Sequence, residues 1–233
     1  QYRGALIDLA CLSFGIRVIP IPLNSTSDHL NFILKQAEIS HLFIGGKTGI
    51  QLWNDVQADH DIQVIALDAS ETLRGQISDW ESFLDRGQDF HLQERLDLVP
   101  MDWTVSIMYT SGTTANPKGI IFNQVNIVSK RFARALALPE IGSQDTFLAY
   151  LPLFHTFGRY FELLGSLYWG ATYVFAESPA FNSLLKDFKI SQPTVFISIP
   201  KRWAQLYETI EEGGSLDAAD KSVIKSKINE LTG

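Results

Sequence analysis

The chain has 233 residues, a formal net charge of −7 and a single cysteine, Cys11. Apolar residues make up 45% of it and aromatic residues 12%, which excludes a disordered chain because such a chain buries too little apolar surface to fold. The acidic balance argues against a nucleic-acid partner, because affinity for phosphate backbones comes mainly from clustered Lys and Arg. A lone cysteine excludes an internal disulfide and favours a reducing compartment, so we expect a cytoplasmic protein.

Short β-rich runs alternate with segments of helical periodicity along the chain. After a core helix at 5–16, strands are predicted at 17–21, 41–44, 63–67, 104–109, 119–122, 146–150, 171–175 and 194–197, with helical spacing at 30–37, 80–84, 125–136, 203–210 and 215–231. This alternation predicts an α/β fold of two lobes, each a mostly parallel sheet flanked by helices. A polar stretch that closes at Pro100 places the lobe boundary near residue 98, which gives lobes 1–98 and 99–233.

The longest apolar stretch is too short for a membrane span. It covers 163–176 and is interrupted by Gly165, Ser166 and Gly170, whereas a bilayer requires roughly 20 apolar residues. We therefore expect no transmembrane segment. Self-association through exposed apolar surface is a further expectation, so we include a homo-oligomer among the partners.

The strongest chemical signal covers residues 109–119, which read Tyr-Thr-Ser-Gly-Thr-Thr-Ala-Asn-Pro-Lys-Gly after a predicted strand. Small hydroxyl residues and glycine let the backbone approach a polyphosphate closely, and a lysine supplies positive charge. This segment is not an ordinary P-loop, because Pro117 precedes Lys118 and a strand, not a helix, is predicted to follow. The residues predicted to bind phosphate are Thr110, Ser111, Gly112, Thr113, Thr114 and Lys118.

A second segment, at 151–158, reads Leu-Pro-Leu-Phe-His-Thr-Phe-Gly. An imidazole such as that of His155 can donate a hydrogen bond to a carboxylate while aromatic neighbours exclude water. Both segments resemble signatures of the adenylate-forming superfamily, which includes acyl-CoA synthetases, luciferases and peptide-synthetase adenylation domains. The first matches that family's pattern at every fixed position except Ala115, where the family has glycine.

The resemblance implies that the chain is part of the large N-terminal domain of an enzyme that activates a carboxylic acid with ATP and transfers it to coenzyme A. It implies roles for Lys118 and Thr114 in catalysis, at the leaving pyrophosphate, and an acyl-substrate pocket formed by Phe154, His155 and Gly158. The acidic motif that holds Mg²⁺ in this family and its distal lysine have no match here, so no metal ligand is expected within these residues. The chain also opens with Gln1, and we expect an inactive fragment of a longer protein.

Alternative functions remain open from the sequence. The Leu-Pro-x-Phe-His element and the segment Pro-Lys-Arg-Trp at 200–203 favour a long-chain fatty acid–CoA ligase over amino-acid adenylation or a luciferase-like activity. A non-catalytic nucleotide-binding module is the other alternative, and Ala115 is the residue that supports it. An alanine forced into a left-handed backbone conformation costs about 1 to 2 kcal/mol, which would weaken nucleotide binding.

Overall fold

The computed structural model describes residues 2–22, 24–56, 61–68, 77–87, 99–110 and 116–212. The chain divides into two compact units, Gln1–Asn126 and Ile127–Gly233. The predicted helix at 215–231 and the predicted phosphate-binding residues Ser111, Gly112, Thr113 and Thr114 lie outside the described residues, as does Ala115.

The first unit combines helices with two small sheets. In chain order its elements are α1 (Tyr2–Ser13), α2 (Ser27–Gln36), β1 (His41–Ile44), α3 (Gly46–Asn54), β2 (Gln63–Ala66), β3 (Ile77–Asp79), α4 (Trp80–Asp85), β4 (Thr104–Thr110) and β5 (Lys118–Asn123). Strands β1, β2 and β3 form a parallel sheet in that order, with His41 opposite Gln63 and Val64 opposite Ile77. Strands β4 and β5 pair antiparallel as a hairpin.

Helix α2 illustrates how the local sequence determines one element of the first unit. The Thr26 hydroxyl accepts a hydrogen bond from the His29 backbone N–H at 3.2 Å, which satisfies one of the free donors at the start of the helix. Apolar residues at helical spacing then bury Leu30 and Leu34 in a cluster with Val56. The apolar face thus fixes the helix against the rest of the unit.

The segment at 17–21 is not the strand that its β-rich sequence predicts. Within the described residues it makes a single β-bridge, from Val18 to Ser106 of β4, and the Ser106 hydroxyl donates to the Val18 carbonyl at 2.9 Å. Pro20 and Pro22 have no N–H, so they cannot extend a ladder of backbone hydrogen bonds. The same contacts join β4 to the N-terminal segment, and β4 lies within the unit Gln1–Asn126.

The second unit begins within α5 (Gln124–Ala137). Its further elements are β6 (Thr146–Ala149), a π-helix (Phe157–Leu163), α6 (Leu164–Trp169), β7 (Thr172–Phe175), α7 (Phe181–Ser191) and α8 (Pro200–Glu212). Strands β6 and β7 pair in parallel, with Thr146 opposite Thr172. Within the described residues, the predicted strand at 194–197 makes a single isolated bridge, between Val195 and Phe147.

The core of the second unit is built from the ends of β6 and β7 and from α7. The buried members are Leu148, Tyr150, Leu151, Ala176, Leu184 and Phe188. Parallel strand pairs joined by helices thus occur in both units, and the predicted α/β class with mostly parallel strands is confirmed.

Candidate functional site

The predicted phosphate segment, residues 109–119, begins on β4 and ends on β5. Thr110 is the last residue of β4 and Lys118 the first of β5, and the two are opposite each other in the strand register. Both side chains are exposed. The antiparallel pairing therefore closes the base of the segment with a hydroxyl on one strand and an ammonium group on the other.

Because Gly119 has no side chain, the ring of Tyr109 can lie close to the backbone of β5. A Cβ atom at Gly119 would be 2.9 Å from Ile107 Cγ2 and 3.2 Å from Tyr109 Cζ, both closer than packed carbon atoms approach. The Tyr109 hydroxyl donates a hydrogen bond to Gln36 Oε1 of α2 at 2.9 Å. Partial burial raises the pKa of Tyr109, so the phenol stays protonated and remains a donor.

The Leu-Pro-x-Phe-His element, residues 151–158, forms a tight turn after β6 in the second unit and ends in the first two residues of the π-helix. The His155 N–H donates to the Pro152 carbonyl at 3.1 Å, and the His155 carbonyl accepts from the Arg159 N–H at 3.0 Å. His155 is exposed, whereas the Phe154 side chain is half-buried. The His155 backbone is thus hydrogen-bonded through both its N–H and its carbonyl, while the imidazole is exposed.

The hydrogen bond to the His155 ring selects its tautomer. His155 Nδ1 accepts from the Phe157 backbone N–H at 3.2 Å. A neutral imidazole has one acceptor and one donor nitrogen, so the proton of neutral His155 lies on Nε2. The Nε2–H group is therefore the donor that this side chain can offer to a ligand.

Gly158 lies where a side chain has no room. A Cβ atom there would be 2.6 Å from the Pro152 carbonyl oxygen and 2.9 Å from that of Leu151. Because these neighbours are backbone atoms, they cannot move aside as a flexible side chain would. Gly158 therefore lets the π-helix pack directly on the beginning of the Leu-Pro-x-Phe-His element.

Three polar side chains of the π-helix are buried, those of Arg159, Tyr160 and Glu162, and no sequence motif predicts a role for them. Arg159 and Glu162 have no exposed surface, and Arg159 Nη1 donates to the hydroxyl of the buried Tyr160 at 2.9 Å. Burial raises the pKa of Glu162 to about 8, so its carboxyl is protonated at neutral pH. The available sequence signal is a pair of charged residues within an otherwise apolar run, a pattern that a half-exposed helix would also show.

The structure brings these predicted residues together in two groups. Thr110 and Lys118 meet at the hairpin of the first unit, while in the second unit Phe154 and His155 lie in the turn before the π-helix and Gly158 lies in the π-helix itself. In the described part of the chain, no group of three or more His, Cys, Asp or Glu is arranged to hold a metal ion. No helix of that part is both long and apolar enough to span a membrane.

Comparison with known proteins gives the family. Residues 3–229 match the family model described as AMP-binding enzyme, so the chain belongs to the AMP-binding enzyme family. It is 27% identical over 235 residues to the long chain acyl-CoA synthetase 7, peroxisomal, of Arabidopsis thaliana, a match that covers 97% of the chain and 32% of that protein. It is 33% identical over 141 residues to the long-chain-fatty-acid–CoA ligase ACSBG1 of Homo sapiens, covering 57% of the chain and 19% of that protein.

Solved structures support the same fold. A malonyl-CoA ligase with methylmalonyl-CoA and AMP bound matches with a TM-score of 0.67 at 19% sequence identity, covering 91% of this chain and 40% of that chain. The predicted resemblance to adenylate-forming CoA ligases is therefore confirmed for the family and the fold. The chain spans only about a third of the length of the Arabidopsis relative.

Proposed function

We propose that the complete protein containing this chain is a ligase that activates a fatty acid with ATP and transfers the acyl group to coenzyme A. The observation that carries the proposal is the hairpin that pairs Thr110 with Lys118 at the base of a hydroxyl- and glycine-rich turn. Membership of the AMP-binding enzyme family supports it. The names of the acyl-CoA synthetase and fatty-acid ligase relatives favour a long-chain acid as the substrate.

The first half-reaction is nucleophilic displacement at the α-phosphorus of ATP. A carboxylate oxygen of the acid attacks that atom, the bond to the bridging oxygen of the β-phosphate breaks, and pyrophosphate leaves with the bonding electrons. Lys118 and the hydroxyls of Thr110 and Thr114 would neutralise and hold the departing pyrophosphate. Charged and polar donors aimed at developing negative charge lower such barriers by several kcal/mol.

The second half-reaction is acyl transfer to a thiol. The sulfur of coenzyme A attacks the acyl carbon, AMP leaves, and the thiol proton is released to water. In our proposal the Nε2–H group of His155 binds the carboxylate of the acid, and Phe154 and Gly158 border the same pocket. An aromatic neighbour keeps water from the reactive mixed anhydride.

Mg²⁺ is proposed to accompany ATP, because a bound cation offsets the charge of a triphosphate. The described residues contain no carboxylate cluster that fits the ion, so we place its ligands elsewhere in the complete protein and derive no step through it. We further propose a cytoplasmic location and self-association into a homo-oligomer. Because the chain spans about a third of the Arabidopsis relative's length, the 233 residues alone are proposed to be inactive.

The test is exchange of labelled pyrophosphate into ATP, which reports the first half-reaction alone. In the complete protein, palmitate should support exchange, and Lys118→Ala should lower the rate about 100-fold, as removal of one electrostatic donor does. Lys130→Ala removes an exposed lysine of α5 and is the matched control, expected to keep the wild-type rate. The isolated 233 residues should give no exchange.

A panel of acids separates the competing functions. Exchange that is fastest with amino acids would replace the fatty acid by an amino-acid substrate. Absence of exchange with every acid, together with intact ATP binding, would favour the non-catalytic module instead. In that event Ala115→Gly should strengthen ATP binding, because glycine removes the backbone strain that an alanine would carry.

A further inference from the structure

A cavity of about 270 Å³ lies beside the β4–β5 hairpin in the first unit. Its lining includes Arg17, Gln36, Glu38, Ile107, Tyr109 and Ile121. This volume is just below the range of about 300 to 1,000 Å³ that is usual for the pockets of drug-sized ligands. The cavity therefore suits a small molecule and is too small for a nucleotide or a long acyl chain.

The cavity lies on the face of the hairpin opposite to the proposed phosphate contacts. Ile107 and Tyr109 line it from β4, and Ile121 lines it from β5. Successive side chains of a strand point to opposite faces of the sheet. Thr110 follows Tyr109 on β4, so Thr110 and Lys118, which is opposite it in the register, belong to the other face. The cavity is therefore a separate site from the one proposed for the triphosphate.

Two opposite charges line this cavity, the guanidinium group of Arg17 and the carboxylate of Glu38. Among the residues that the structure describes, these two side chains form no ion pair with each other and no hydrogen bond with another residue. The Tyr109 hydroxyl donates to Gln36 Oε1 at 2.9 Å, so the Gln36 amide presents its N–H groups as donors. A cation and an anion that line one cavity without neutralising each other fit a ligand that carries both charges.

The backbone of Glu38 gives an independent argument for a ligand. Its φ of 51° lies in the left-handed region. The Glu38 N–H donates to the Lys35 carbonyl at 3.3 Å and the Ile39 N–H to the Leu34 carbonyl at 3.0 Å, a Schellman motif in which glycine usually takes the place of Glu38. A side chain is strained there, and strained residues cluster where proteins hold ligands. Glu38 thus supplies a carboxylate to the cavity at a position that favours glycine.

We propose that this cavity binds a small zwitterion with an aliphatic body, an amino acid of the leucine type. The Arg17 guanidinium pairs with the ligand's carboxylate, to which it can donate two parallel hydrogen bonds, and the Glu38 carboxylate pairs with the ligand's ammonium group. Ile107 and Ile121 form the apolar wall. The Ile121 side chain is 63% exposed, so an aliphatic group that covers it gains burial. The site is independent of the proposed ligase activity.

The experiment is a titration of the ¹⁵N-labelled complete protein with leucine in the absence of ATP. The backbone amides of Tyr109 and Gly119, which border the cavity, should shift and saturate. Isocaproate, which lacks the ammonium group, and isoamylamine, which lacks the carboxylate, should each bind about tenfold more weakly or less, because each loses one charged contact. Amides that leucine leaves unmoved, or an analogue that binds as tightly as leucine, would overturn the proposal.

Variants then assign the two charges. Arg17→Gln and Glu38→Gln should each weaken leucine binding about tenfold, whereas Arg86→Gln, at an exposed arginine of the same unit that does not line the cavity, should keep the wild-type affinity. Glu38→Gly removes the carboxylate together with the backbone strain, so it should bind leucine as weakly as Glu38→Gln but unfold at the same urea concentration as wild type or at a higher one. Arg17→Gln that binds leucine as tightly as Arg86→Gln, or Glu38→Gly that binds it as tightly as wild type, would contradict the site.

Discussion

Among the described glycines, Gly158 is the one at which a side chain would come closest to backbone atoms. A Cβ atom in place of one of its α-hydrogens would lie 2.9 Å from the Leu151 carbonyl oxygen and 2.6 Å from that of Pro152. Relief would require the π-helix to move away from the turn that carries His155. The absence of a side chain at this position therefore determines how closely helix and turn pack.

Gly158→Ala should lower the free energy of unfolding by about 1–3 kcal/mol, the usual effect of overpacking a buried site. Gly4→Ala is the matched control, because a Cβ atom there meets nothing within 4 Å and alanine favours a helix. Urea unfolding followed by fluorescence gives both values. If Gly158→Ala is as stable as Gly4→Ala, the close packing of the π-helix on the turn is incorrect.

Some individual site residues can be predicted from the sequence and others cannot. Lys118 and His155 stand out because each lies in a short contiguous pattern whose chemistry is evident from its residues. Glu162 does not, because its burial depends on residues that are distant along the chain, such as Tyr173, whose hydroxyl contacts the Glu162 carboxyl from 11 residues later. Contacts of this kind follow from the fold and not from local spacing.

At the level of elements, most strands are predicted well. Strands β1, β2, β4, β5, β6 and β7 lie within a residue of their expected limits, because short β-rich runs bounded by turn residues have few alternatives. Strand β3 has three residues, too few for a periodic pattern. The π-helix likewise has no distinct sequence period, so its sequence predicts only an apolar stretch.

Glu162, which lies on the π-helix, makes the stability of the second unit depend on pH. The pKa of Glu162 is raised from 4.5 to about 8 by burial, so above pH 4.5 the unfolded chain loses this proton while the folded chain keeps it. The contribution of Glu162 to stability is therefore complete below pH 4.5, falls as the pH rises toward about 8, and is constant above that.

Glu162→Gln should remove this dependence. The free energy of unfolding of the variant, relative to wild type, should increase between pH 4.5 and 8 with a slope of at most about 1.4 kcal/mol per pH unit. Urea unfolding of both proteins at matched pH values measures the difference, in which the other titrating groups cancel. A difference that does not change with pH would mean that the Glu162 carboxyl is ionised in the folded protein.

On the scale of the whole molecule, two compact units carry separate parts of the proposed chemistry. The unit Gln1–Asn126 contains Thr110 and Lys118, and the unit Ile127–Gly233 contains Phe154 and His155. The division into lobes 1–98 and 99–233 stays a prediction, and it depends on the polar stretch before residue 100. The backbone contact between Val18 and β4 is a long-range pairing that no local pattern indicates.

If the β4–β5 hairpin binds the triphosphate of ATP, a titration followed by NMR will detect the binding at its backbone amides. When ATP is added to the ¹⁵N-labelled complete protein, the backbone amides of Thr110, Lys118 and Gly119 should shift and saturate. Adenosine, which has no phosphates, should leave them unmoved, and Lys118→Ala should weaken the ATP response about tenfold or more, as loss of a charged contact does. Amides that remain unmoved at saturating ATP, or that respond equally to adenosine, would contradict the account.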